Sequence, residues 1–209
     1  MLRTTAHSRS AFSGFDFLFN APMLLWLLAM GLALTLLPIA FARSQPTAIE
    51  SASVLLHDAD PTVREQGINQ LMRLGSAEAT SELANFFQRD KYLHESGLAT
   101  ARALAEIGTL QAYQVLINAL RQEELSTRHM AAMIALEEAK PSVTPFLTAA
   151  LKDPDVGVRQ AAAQIMGRRH MDMAVDALLA ATHDPDASVR EAASWALRGL
   201  GAQRSSVSQ

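Results

Sequence analysis

The sequence predicts an all-α protein, a solenoid of about five helix pairs behind one transmembrane helix. Two patterns carry this reading: an apolar run without charge from residue 17 to residue 42, and one set of residues that returns five times in the rest of the chain. A third observation is composition, since 49% hydrophobic and 19% charged residues among 209 are the proportions of a folded chain. The absence of cysteine excludes disulfide frameworks, thiolate metal sites and cysteine nucleophiles. A formal net charge of -3 does not supply the cationic surface that neutralises phosphates, so no nucleic-acid partner is expected.

The first element is membrane-like. The 22 residues from Ala21 to Ala42 would form roughly 33 Å of helix, enough to cross a hydrocarbon core of about 30 Å. Arg3 and Arg9 precede the run, whereas Arg43 is the only basic residue after it until Arg64. That bias predicts a cytoplasmic segment over 1–20 and an extracytoplasmic chain from Arg43 onward, periplasmic in a Gram-negative cell. Pro38 and the small-x-small sequence Ala40-Phe41-Ala42 also fit a signal peptide cleaved after Ala42, with the same topology. If the anchor is retained, the linker over 43–45 reaches only about 10–14 Å and holds the following domain at the membrane surface. Two of the 18 basic and one of the 21 acidic residues precede Arg43, leaving 16 against 20, which disfavours electrostatic adhesion to anionic lipid.

From residue 46 to residue 202 one landmark recurs as Arg64, His94, Arg128, Arg159 and Arg190. Four positions before each stands an acid, namely Asp60, Asp90, Glu124, Asp155 and Asp186, placed to cap a helix start and face its positive dipole end. Three positions after each stands a small residue, Gly67, Gly97, Ala131, Ala162 or Ala193, which lets neighbouring helices approach closely. Pro61 fits the first helical position, while Pro154 and Pro185 end the preceding helices. Upstream of the caps run shorter amphipathic stretches, such as Val143, Phe146, Leu147, Ala150 and Leu151, or Val175, Leu178 and Leu179. Each unit is therefore a helix pair, and 203–209 is left as a polar, frayed tail.

The stretches Asp153-Pro154-Asp155-Val156-Gly157-Val158-Arg159-Gln160-Ala161-Ala162-Ala163 and Asp184-Pro185-Asp186-Ala187-Ser188-Val189-Arg190-Glu191-Ala192-Ala193 resemble HEAT repeats. They are most similar to the short type first noted in phycobilin lyases. The resemblance is strongest in the first, fourth and fifth units, and it implies a right-handed helical stack used mainly to bind other proteins. His94 departs from the repeat arginine, and Glu124-Leu125-Ser126-Thr127 departs from the Asp-Pro-Asp turn, so the ladder of arginine–aspartate contacts that the family implies is expected to weaken there.

No paired-histidine zinc helix, phosphate-cradling loop, dinucleotide fingerprint or nucleophile elbow is present. The histidines His57, His94, His129, His170 and His183 fall at turns, helix ends or exposed positions, and neither a metal, a cofactor nor a catalytic role is expected. Binding is sought on the second helices instead. At about 100° per residue the core columns at landmark +3, +7 and +10 fall together, and position +5 falls on the opposite face. It holds Asn69, Ala99, Met133, Gln164 and Trp195, with Arg102, His129, Arg168 and Arg198 near it. These residues are expected on the concave face, where Arg102, Met133, Arg168, Trp195 and Arg198 are the candidate protein-binding residues. Trp195 has a second reading as a cover for the open end of the last unit.

Taken together these features predict a membrane-anchored, extracytoplasmic scaffold that binds other proteins, an accessory subunit of a larger membrane complex rather than an enzyme. The alternatives are a chromophore or cofactor lyase or chaperone like those whose repeats it resembles, and a secreted adaptor released by cleavage.

Overall fold

The computed structural model describes residues 47–89, 93–121 and 126–207, and every regular element among them is helical. In chain order these are α1 (Ala48–Leu56), α2 (Pro61–Leu74), α3 (Ala77–Arg89), α4 (Leu93–Ile107) and α5 (Leu110–Ala119), followed by α6 (Thr127–Glu138), α7 (Thr144–Ala150), α8 (Val156–Arg168), α9 (Val175–Ala181) and α10 (Ala187–Val207). Among the described residues no helix is long and apolar enough to cross a membrane. The span expected over 21–42, with its flanks, lies outside them.

The helices begin where short polar side chains can take up free amides. Thr47 and Glu50 form a reciprocal capping box on α1, the Thr47 amide donating to Glu50 at 2.6 Å and the Glu50 amide to Thr47 Oγ1 at 3.1 Å. Asp60 accepts from the Thr62 amide at 2.8 Å with Pro61 at the first helical position of α2, and Asp155 accepts from Val158 at 3.1 Å on α8. The Ser188 amide gives Asp186 the same bond at 2.9 Å on α10. Asp90 and Glu124, the other expected caps, lie outside the described residues, and α6 starts instead on Ser126, whose Oγ accepts from the His129 amide at 3.2 Å. Gly75 ends α2 in the left-handed region at φ 58°, which an L side chain enters only at a cost. The last helix continues past Ala202 to Val207, into the stretch the sequence suggests is frayed.

Pairing follows the chain order: α1/α2, α3/α4, α5/α6, α7/α8 and α9/α10. The second helices stack on one another from α2 through α4, α6 and α8 to α10. The core runs between the two layers, with Leu56, Phe87, Leu116, Leu147 and Leu178 from the first helices meeting Ile68, Leu71, Leu104, Leu136 and Ile165 from the second. Gly67 is where α2 comes closest to α1: a Cβ there would lie 2.8 Å from the Ala52 carbonyl and 2.9 Å from Leu55 Cβ.

A polar ladder joins consecutive pairs at their turns. Arg64 is fully buried; its Nη1 donates to the Asp58 and Ala59 carbonyls at 2.9 Å, its Nε to Ser96 at 3.0 Å, and its Nη2 pairs with Glu95 of the next pair. Arg159 repeats this, binding the Asp153 and Pro154 carbonyls of its own turn and both oxygens of Asp184 in the next. His94 cannot do so and stands 3.4 Å from Thr127 Oγ1. Neighbouring residues take over: Arg128 Nε donates back to the Phe87 carbonyl at 3.0 Å, and Arg121 supplies the guanidinium for Asp153 at 2.6 Å. The weakening expected at the second and third units is thus a rewiring from adjacent positions.

Candidate functional site

The exposed side of the second helices carries two grooves. One, of about 340 Å³, runs across α2, α4 and α6; its floor includes Ile68, Met72, Ala99, Ala103 and Ala135, and its edges Glu65, Asn69, Arg102, Glu106 and Glu138. Ala103 and Ala135 are themselves buried, and their small side chains leave room for the groove above them. The other, of about 240 Å³, lies between α8 and α10 and is lined by Gln160, Gln164, Ser188, Glu191, Trp195 and Arg198.

The five sequence-chosen candidates divide between these places. Arg102 stands at the edge of the larger groove, where its Nε and Nη2 donate to both oxygens of Glu138 at 2.6 and 2.7 Å. That fork holds the Glu138 carboxyl below the usual carboxylate range and raises the Arg102 guanidinium. Arg168 is tied to Glu137 by a single bond, from Nη1 at 2.5 Å. Trp195 and Arg198 come together in the smaller groove; Trp195 is 46% exposed, and Arg198 is exposed without an ion-pair partner among the described residues.

Met133 is a correction. It is only 6% exposed, so it belongs to the core and cannot anchor a partner. The wheel argument treats a helix as having one buried side, but α6 packs on α4 and α8 as well as on α5, and those neighbours cover position +5. The exposed methionine of α6 is Met130. His129 departs from expectation for the same reason: it is 7% exposed, with Nδ1 lacking a hydrogen-bond partner among the described residues. Nor does Trp195 cover the open end of the last pair. Its ring turns back on α8, where a Cβ on Gly167 would lie 2.8 Å from Trp195 Cζ3.

Sequence reasoning missed the acidic partners Glu138 and Glu137, although each stands about one repeat from its arginine, Glu138 after Arg102 and Glu137 before Arg168, a spacing that signals contact in a stack. It also missed Arg169, which donates to the Leu136 and Glu137 carbonyls at 3.0 and 2.5 Å and so caps the end of α6 from the next pair. Burial lowers the Arg169 pKa from its ordinary value, and its Nε finds no partner among the described residues. Among the described residues no group of three or more histidine, aspartate or glutamate side chains is arranged to hold a metal ion.

Tandem helix pairs, a second-helix layer that continues from pair to pair and charged rungs at the turns define an α-solenoid repeat protein. The model for HEAT repeats matches residues 53–137 and 143–207, and the chain belongs to that family. No curated protein matches the chain. Among solved structures, it is similar to a chain of the complex of CpcE and CpcF of phycocyanin lyase from Nostoc sp. PCC7120, with 22% identity over 75% of this chain and 65% of that one and a TM-score of 0.39. It is also similar to human deoxyhypusine hydroxylase in complex with glycerol, with 17% identity over 76% of this chain and 86% of that one and a TM-score of 0.31. The chain thus spans less than two-thirds of the first of these structures.

Proposed function

We propose that this HEAT-repeat protein acts by binding another protein on the face of its second helices, with Trp195 and Arg198 as the principal contacts. The observation that carries the reading is their juxtaposition. An exposed indole lies beside a guanidinium with no ion pair among the described residues, in a groove edged by Gln160, Gln164 and Glu191. Tryptophan and arginine are the side chains on which interface energy concentrates, and truncating such an anchor costs about 2 kcal/mol or more, roughly a thirty-fold loss of affinity. Affinity purification of the tagged full chain from mildly solubilised membranes, with Trp195→Ala and Arg198→Glu variants beside it, tests this. A stoichiometric partner that is retained by both variants removes the groove from consideration.

Two finer readings of what is bound differ in their support. A chromophore or cofactor lyase or chaperone is supported by the likeness of the Asp-Pro-Asp repeats to those of phycobilin lyases and by the larger groove, whose volume suits a small molecule. Titrating the full chain with a linear tetrapyrrole should then shift the pigment's absorbance, and Arg102→Glu should abolish the shift. A membrane-anchored, extracytoplasmic accessory subunit of a larger membrane complex rests on the apolar run over 21–42 alone. Intact mass of the purified chain separates this from the secreted adaptor, which would begin near Arg43. The tetrapyrrole reading has the broader support of the two, because it draws on residues of the solenoid itself.

A further inference from the structure

We infer that the two ends of the helix stack are complementary and that one copy of the chain docks head to tail on another, Arg190 of one copy pairing with Asp58 of the next. The inference follows from what equivalent residues do inside the stack. Arg64, Arg159 and Arg190 each hold their own turn through Nη1; for Arg190 the acceptors are the Asp184 and Pro185 carbonyls, both at 2.8 Å. Arg64 and Arg159 then turn their remaining donors to the next pair, onto Ser96 and Glu95 and onto Asp184. Arg190 sits in the last pair, and its Nε and Nη2 have no acceptor among the described residues.

The other end carries the missing half. Asp58, Asp153 and Asp184 each accept the amide two residues further on, at 2.8, 2.9 and 2.9 Å, so the three carboxylates are held in the same turn. Asp153 and Asp184 also receive a guanidinium from the preceding pair, Arg121 and Arg159 respectively. Asp58 sits in the first pair, is exposed and receives none among the described residues. The geometry by which Arg159 grips Asp184 is therefore available a second time, with its donor at one end of the stack and its acceptor at the other. Apolar side chains accompany both halves: Val54 on α1 is 74% exposed, and Leu179 on α9 is 50% exposed. Such a contact joins two different surfaces and does not close on itself, so association should grow into rows as concentration rises.

The lack of cysteine gives a clean test. Full-length Val54→Cys and Leu179→Cys, purified in detergent, each carry a single thiol at an exposed position and keep both Asp58 and Arg190. Mixed in equal amounts with a short bismaleimide, they should give the mixed dimer about ten-fold faster than either same-variant dimer, because docking raises the local concentration of only that pair of thiols. Equal yields of the three dimers, or no dimer, overturn the proposal. Asp58→Asn gives a second measurement that needs no cysteine variant, since its amide oxygen can still accept from the Asp60 amide. In sedimentation velocity the wild-type chain should gain mass with concentration and Asp58→Asn should not. A wild type that remains single, or an Asp58→Asn variant that associates equally well, refutes the docking.

Discussion

Arg159 and Asp184 join the fourth and fifth helix pairs through two hydrogen bonds, at 2.9 and 3.1 Å, and each side chain is about nine-tenths buried. The guanidinium beside it holds the Asp184 carboxyl below the ordinary carboxylate range, while the Arg159 pKa is raised. Asp60 and Asp186 are also lowered, by their bonds from Thr62 and Ser188. A carboxyl whose pKa is lower when folded stabilises the protein above its unfolded pKa and loses that contribution as pH falls through the folded value. The melting temperature should therefore hold steady down to about pH 4 and then fall. Asp184→Asn keeps the turn but gives up the charged pair, so at neutral pH it should lose about 1–3 kcal/mol, and its stability should fall less on acidification. Thermal melts of both proteins from pH 7 to pH 3 check this, and parallel curves would show that the pair carries no linkage. Much of this was legible from the sequence, because a carboxylate four residues before a recurring arginine has one capping geometry open to it. The partner of each arginine was less legible: Glu95, Glu137 and Glu138 are separated from theirs by the stacking register, which a single unit does not specify.

At the scale of the helix, closeness is set by residues without bulk. Gly167 on α8 faces Ala196 of α10, and a Cβ there would stand 2.7 Å from Ala196 Cβ and 2.8 Å from its Cα. Because the obstacle is backbone and a short side chain, neither can swing aside, and α8 and α10 would have to part. Gly167→Ala should cost about 1–3 kcal/mol. Since Trp195 Cζ3 lies at the same contact, the emission of Trp195 should move to longer wavelength in a Trp26→Phe background, where it is the sole tryptophan. Unchanged emission and stability would mean that this approach is looser than described. Gly67, whose added Cβ meets the Ala52 carbonyl, is the counterpart between α1 and α2, and Gly67→Ala should be destabilising by a similar amount. The helix pairs themselves were readable from the period of apolar residues. The exposure of Met133 was not, because a wheel describes one helix against one partner, while each interior second helix has a neighbour on either side.

Across the whole solenoid the stacking is uneven, and this determines how the molecule should come apart. The second helices pack extensively from α2 through α4 to α6 and again from α8 to α10, but α8 packs much less closely on α6. The HEAT-repeat match breaks at the same place, between residues 137 and 143. Beside the Tyr113–Phe146 ring contact, with centroids 4.9 Å apart, what spans the seam is polar: Arg168 on Glu137 at 2.5 Å, Arg169 on the Leu136 and Glu137 carbonyls, and Arg121 on Asp153 at 2.6 Å. In a stack whose stability is a sum of unit and nearest-neighbour terms, the weakest interface separates the blocks that unfold together. Here those blocks are α1–α6 and α7–α10. The exposed ion pairs of the seam are screened by salt, with a Debye length of about 3 Å at 1 M, whereas the apolar contacts inside each block are not weakened by it. Thermal unfolding followed by circular dichroism should accordingly broaden or split in 1 M sodium chloride, while at low salt it remains one transition. Arg169→Ala, which leaves the end of α6 uncapped, should split the transition at low salt and lower the first step by about 1–2 kcal/mol. If both proteins unfold in a single sharp step at every salt concentration, the seam is as strong as the interfaces on either side of it, and the stack is one cooperative unit.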